Sequence, residues 1–195
     1  ISIAIILYNN TFVNENDGKT LFNDFYREEQ MQRVYELFLL NFYTLHLDKK
    51  TYRVHAPKIN WDIDENAFDG LDVTFNIDTK VTDRRTDLVI ENKKEKIQFI
   101  IDAKYYKDAL VTAYQDDTRK TYRTNHINQI RGYILDSKFY EKKYGALIYP
   151  TVYENEIETG FPIKKAPIFI KTINLNQDWQ KIENDLLNFA FKIVK

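Results

Sequence analysis

Apolar residues Met31, Val34, Tyr35, Phe38, Phe42 and Leu45 recur at three- and four-residue spacing within residues 21–47, a stretch with no Gly or Pro. That period predicts a long, largely buried helix. Residues 48–70 hold Pro57, Gly70 and many Asp and Asn, the composition of irregular chain. Next, Leu71, Val73, Phe75 and Ile77 alternate with Asp72, Thr74, Asn76 and Asp78, which predicts a strand with one wet face. Two short apolar runs, 87–91 and 97–103, flank the polar segment 92–96 and predict a hairpin. Further along, a helix is predicted over 124–144, a strand over 145–150 ended by Pro150, a strand over 168–173 and an amphipathic helix over 179–194. The apolar residues 1–8 also read as a strand. Only residues 154–166 resemble a linker, and no repeat is present. Helices and strands therefore mix around one sheet in a single α/β domain covering 1–195.

With 195 residues, 44% of them hydrophobic and 29% charged, the chain can bury a core without disulfides or a structural metal. Cysteine is absent, which removes disulfide frameworks, thiolate zinc sites and cysteine nucleophiles and points to a cytoplasmic home. The apolar start is too short to span a bilayer and lacks a signal peptide's flanks, so no membrane partner is expected. Because the chain opens on Ile1 rather than Met, it is expected to be a fragment lacking an upstream domain.

A net charge of −1 does not advertise nucleic acid, but its distribution changes the picture. Between Lys104 and Arg131, the basic residues Lys104, Lys107, Arg119, Lys120, Arg123 and Arg131 oppose only Asp108, Asp116 and Asp117. This local excess fits either a solvated helical face or a phosphate track.

The pattern (D/E)-x-K is common in this chain, occurring at Asp17, Asp48, Asp78, Glu91, Asp102, Asp136 and Glu141, so each instance alone is noise. Asp102-Ala103-Lys104 differs because it ends an apolar strand. If the hairpin turns between Lys94 and Glu95, Asp87 lies across from Asp102, and Lys104 points to the same face. Two opposed carboxylates repel unless a cation lies between them. Hard oxygen ligands in small number suit Mg²⁺. Lys104 would then hold or deprotonate a water, or neutralise developing charge. The other reading is a surface hairpin with a simple Asp-Lys ion pair.

The ordered set Arg85-Thr-Asp-Leu-Val-Ile90, Ile100-Ile-Asp-Ala-Lys-Tyr-Tyr106, Gln129-Ile-Arg-Gly-Tyr133 and Gly145-Ala-Leu-Ile-Tyr-Pro150 resembles nuclease subunits of McrC type, including those of LlaJI-like restriction systems. The match extends upstream to Tyr35-Glu-Leu-Phe38 and Ile59-Asn-Trp61. The resemblance implies a restriction-endonuclease-like core of the PD-(D/E)xK superfamily, a mixed central sheet flanked by helices. It implies Asp87 and Asp102 as ligands of Mg²⁺, or of Mn²⁺ in its place, and Lys104 as the catalytic lysine. Thr86 departs from the proline common before the first aspartate.

By the same resemblance Glu36 reaches the metal site; an exposed helix glutamate is the plainer alternative. Gln129 and Tyr133, one helical turn apart, resemble a Q-x-x-x-Y element that positions DNA, although Tyr133 fits a core position equally well. His126 reads as solvated and Trp61 as core. His46, His55 and His126 have no metal-ligand spacing. With no Gly-rich phosphate loop, any nucleotide-driven motor must be another chain. The reading is a Mg²⁺-dependent endonuclease cutting double-stranded DNA in an antiviral restriction system, beside an McrB-type AAA+ GTPase or ATPase motor. The Ala103 carbonyl is a further candidate ligand, and Arg119, Lys120, Arg123 and Arg131 are candidate phosphate contacts. The rivals are a non-catalytic module that docks on the motor and stimulates it, and an exonuclease or resolvase on the same fold.

Overall fold

A computed structural model describes residues 21–62, 64, 69–70, 83–106, 110–113, 116–138, 140–151 and 157–195. The strands predicted over 1–8 and 71–80 lie outside the described residues.

The long helix forms as its pattern predicts, as α1, Leu21–His46. Its buried stripe runs through Met31, Tyr35, Phe38, Leu39, Phe42 and Tyr43, while Leu45, placed in that stripe by its spacing, is 76% exposed near the helix end. The hairpin also forms, as β4, Leu88–Asn92, and β5, Ile97–Ala103. Their register pairs Leu88 with Ile101 and Asn92 with Ile97, which is the pairing a turn between Lys94 and Glu95 requires. Asn92 closes the turn, its Oδ1 accepting the amides of Lys94 and Glu95 at 3.0 and 3.1 Å.

Among the described residues, six strands make one mixed sheet. Its order is β1 (Tyr52–His55), β4, β5, β8 (Lys142–Thr151), β10 (Ile168–Asn174) and β9 (Glu158–Phe161). The central pairs β5–β8 and β8–β10 are parallel, the outer ones antiparallel. Both faces are covered, which explains why the central strands read as continuous apolar runs rather than alternating ones. Leu88, Ile90, Phe99 and Ile101 pack on one face under α1 and the closing helix α3, Trp179–Val194. Val89, Ile100, Leu147 and Tyr149 pack on the other face under α2, Thr124–Asp136. Helix α2 lies close because Gly145 has no side chain: a Cβ there would stand 2.6 Å from Ile134 and 2.7 Å from Ile130.

Four local expectations are corrected. Residues 48–70 are not all irregular, since β1 and β2 (Lys58–Ile59) form there, β2 pairing with β3 (Arg84–Arg85). The helix predicted over 124–144 ends at Asp136 because residues 142–151 are drawn into ladders with both β5 and β10. Pro150 does not end its strand. It lies beyond the last β5 pair, Ala103 with Ile148, so its missing N–H breaks no ladder there, and the β10 pairing runs on to Thr151. The linker-like segment carries edge strand β9. Among the described residues no helix is long and apolar enough to cross a membrane.

Candidate active site

The site forms where β4 stops and β5 continues. Asp87 stands one residue before β4, and the hairpin register places it opposite Asp102, near the end of β5. Both share the α2 face with Val89 and Ile100, because side chains alternate along each strand. Asp102 is 1% exposed. Asp87 Oδ2 accepts the Ala103 N–H at 2.8 Å, which fixes the carboxyl against the neighbouring strand. Thr86, which departs from the proline common at this position, is also held firmly: its N–H and hydroxyl both donate to Pro57 O, at 3.1 and 2.9 Å.

Setting half-buried Asp87 against buried Asp102 is electrostatically unfavourable. Burial, the Asp102 charge and the Glu36 charge push Asp87 up to about 8. Asp102 is raised as well, chiefly by burial, against the lowering influence of Lys104. Burial alone would lower Lys104; the charges of Asp102 and Asp87 outweigh it and keep the ammonium protonated. Lys104 Nζ lies 2.7 Å from Asp102 Oδ2 and donates to Gln129 Oε1 at 2.9 Å. The first contact sets the ammonium directly against the buried carboxyl of Asp102, so the lysine offsets part of the cost of burying it.

Gln129 and Tyr133 extend this arrangement along α2. Gln129 Nε2 donates to the Tyr133 hydroxyl at 2.9 Å, which donates to Arg85 O at 3.1 Å. Tyr133 takes the core position, and its hydroxyl links Gln129 to the backbone before Asp87. Glu36 comes from α1 on the opposite face, near enough for its charge to act on both aspartates. It is not a fully exposed helix glutamate, and it accepts hydrogen bonds from Gln32 at 2.9 Å and Arg33 at 3.2 Å. A cavity of about 210 Å³ opens beside Asp87, lined by Arg33, Glu36, Arg85 and Thr86 among others.

The basic segment is more dispersed. Arg119 and Lys120 lie on β7 (Asp116–Tyr122), which forms a hairpin with β6 (Leu110–Ala113), so this part of the run is not the helical face considered from sequence. Lys107 lies outside the described residues. Arg123 stands at the N-cap of α2 with its guanidinium 4.8 Å over the Tyr106 ring, and Arg131 is exposed on α2.

Two side chains are corrected. His126, expected to be solvated, is buried with Nδ1 2.9 Å from the Tyr149 hydroxyl; burial and the charges of Lys104 and Arg123 lower it to about 4, so it is neutral. Helix α2 turns this residue onto β8 instead of outward. Trp61, expected in the core, is 43% exposed and carries the Arg84 guanidinium 3.7 Å over its ring.

Sequence reading missed Gln32. It bonds the backbone beside Lys104 and lies four residues before Glu36, the helical spacing that could have exposed it.

As a cation site, the donors fit a lightly held hard ion. The pair offers opposed, mutually repelling carboxyls, Asp102 buried and Asp87 half-buried beside the cavity. Among the described residues no three His, Cys, Asp or Glu side chains form a metal cage. Hard carboxyl oxygens in small number suit an ion such as Mg²⁺, which keeps several waters. The Ala103 carbonyl already accepts Gln32 Nε2 at 2.7 Å, leaving one lone pair for any second role.

No family model matches the chain. It is 28% identical over 199 residues to the type IV methyl-directed restriction enzyme EcoKMcrBC of Escherichia coli (strain K12), an alignment covering 100% of this chain and 53% of the relative. The chain thus spans about half the length of the curated relative it matches. This whole-chain similarity supports the resemblance to McrC-type restriction subunits carried by the motifs.

Proposed function

We propose that this McrC-like chain is the nuclease of a motor-coupled restriction system and hydrolyses phosphodiester bonds of double-stranded DNA at the Asp87, Asp102 and Lys104 cluster. The observation that carries the reading is the repelling carboxyl pair, Asp102 buried and Asp87 half-buried, with a charged lysine beside it at a strand end. A core does not need that arrangement, and a surface ion pair does not bury it.

In the reaction a water oxygen adds to phosphorus, one P–O ester bond breaks, and the departing oxygen takes up a proton. Mg²⁺, or Mn²⁺ in its place, held by Asp87 and Asp102 with the Ala103 carbonyl, would supply Lewis acidity and acidify a bound water. Lys104, held as an ammonium by the two aspartates, donates toward phosphate oxygen and neutralises charge there, which favours the electrostatic role over that of general base. Gln129 orients Lys104 through Oε1, and Tyr133 orients Gln129. Glu36 adds a third negative charge behind the pair and strengthens its demand for a cation. Arg119, Lys120, Arg123 and Arg131 would hold flanking phosphates. An McrB-type AAA+ GTPase or ATPase would supply target recognition or translocation, a reading supported by the similarity to EcoKMcrBC.

The test is single-turnover cleavage of duplex DNA by the assembled system carrying Asp102→Asn or Lys104→Ala. Both variants should fold, stimulate motor hydrolysis and leave DNA uncut. Cutting by Lys104→Ala at the wild-type rate would remove the assignment.

A further inference from the structure

Strand β5 outlasts its neighbour. The β4 ladder ends at the pair Leu88 and Ile101, two residues before β5 reaches Ala103. On the β8 side the backbone is still paired, with the Lys104 N–H donating to Ile148 O at 2.9 Å. Because successive residues direct their polar groups to opposite sides, the Ala103 N–H, the Ala103 C=O and the Tyr105 N–H all face the place where β4 has stopped. Side chains fill that place. Asp87 Oδ2 takes the Ala103 N–H at 2.8 Å. Gln32 takes the other two: Nε2 donates to Ala103 O at 2.7 Å, and Oε1 accepts the Tyr105 N–H at 2.7 Å.

We infer that Gln32 is a positioning residue for Lys104, acting as a one-residue strand that clamps the backbone on both sides of it; this rests on the reading of Lys104 as catalytic. Only Gln and Asn carry a donor and an acceptor side by side on a planar amide, the pair that a strand edge demands. The amide's orientation is set as well, since a flipped group would turn its oxygen on the Ala103 carbonyl and its nitrogen on the Tyr105 N–H. The same Nε2 lies 2.9 Å from Glu36 Oε1, so one side chain ties the lysine's backbone to the third acidic group. Without the clamp, the Ala103 carbonyl and the Tyr105 N–H lose these partners, while the β8 hydrogen bond of Lys104 and the packing of the Tyr105 ring on Tyr35 stay. A drift of about 1 Å in a reacting group costs on the order of 100-fold in rate.

The experiment replaces Gln32 by Met, which keeps length and helix propensity but removes the amide, and by Glu, which keeps an acceptor for the Tyr105 N–H but loses the donor to Ala103 O. In the cation-free chain, Gln32→Met should speed hydrogen exchange of the Tyr105 amide about 10-fold or more while the Ile100 and Ile101 amides keep their protection. Gln32→Glu should keep most of the Tyr105 protection, and it stands in if the Met variant does not fold. In single-turnover cleavage of linear duplex DNA by the full assembly with Mg²⁺, Gln32→Met should lose about 10- to 100-fold in rate, with duplex affinity within about 2-fold of wild type. Unchanged Tyr105 exchange, or wild-type cutting by Gln32→Met when Lys104→Ala is inactive, overturns the clamp. Wild-type cutting by Lys104→Ala instead overturns the catalytic reading and leaves the exchange result to stand alone.

Discussion

Replacing Asp87 by Asn should make the cation-free protein more stable while abolishing its proposed activity. Asp87 has an ordinary value of 3.8 and is pushed up to about 8 by burial, Asp102 and Glu36. Between those values the folded chain holds a proton that the unfolded chain has released. Stability is therefore greatest below the unfolded value, falls as pH rises through the window, and flattens above about 8. This is the reverse of a salt-bridged aspartate, whose stabilisation grows with pH. Each pH unit inside the window costs at most about 1.4 kcal/mol, so moving from about pH 5 to about pH 7 would cost up to roughly 2.7 kcal/mol. Sharing of protons with Asp102 and entry of water reduce that to about 1–2 kcal/mol. Asn at 87 keeps an oxygen for the Ala103 N–H, presents a donor to Asp102 and does not titrate. Urea denaturation in chelator across this pH range should show a declining wild-type stability and a flatter, higher curve for Asp87→Asn. Adding Mg²⁺ at about 100 times its dissociation constant should return about 2.7 kcal/mol to the wild type and almost none to the variant. Parallel pH curves for the two proteins would refute the claim that the pair stores repulsion.

Three further outcomes follow from the same geometry. His126, lowered to about 4 from 6.5, is neutral when folded, so its contribution is complete above about 6.5 and lost as pH falls toward 4. His126→Gln should therefore flatten the acid side of the stability curve by about 1–2 kcal/mol, read by denaturation between about pH 4 and pH 7. Gly145→Ala should destabilise by about 1–3 kcal/mol, because its Cβ would meet Ile134 and Ile130 well inside contact distance and push α2 off the sheet; a neutral melting temperature would contradict that packing. Single replacement of Arg119, Lys120, Arg123 or Arg131 should reduce the salt slope of duplex binding by about one unit per lost phosphate contact, whereas Gln129→Ala should lower cleavage more than affinity. Unchanged slopes in all four charge variants would move the DNA path elsewhere on the surface.

What the sequence determined by itself was local and periodic. The 3.6-residue spacing placed α1 and α3, and the two apolar runs around 92–96 set the hairpin and its register, because a one-residue slip would turn every side chain to the wrong face. That register is enough to bring Asp87 opposite Asp102, so the juxtaposition of the two aspartates is legible in the sequence. Elements whose state depends on distant partners were not legible. Residues 142–144 continue a helical pattern, yet they form strand because β5 offers them backbone partners from 45 residues away. Glu158 to Phe161 looks like linker but becomes an edge strand where β10 presents open hydrogen-bonding groups. His126 is buried and Trp61 exposed against the sequence expectation, because burial depends on which way a whole element is turned, and local sequence does not encode that rotation. Gln32 shows the same limit at the site itself. Its chemistry is visible in the sequence, but the gap it fills exists only because β4 ends two residues before β5 does, and that mismatch arises only when the strands are laid side by side.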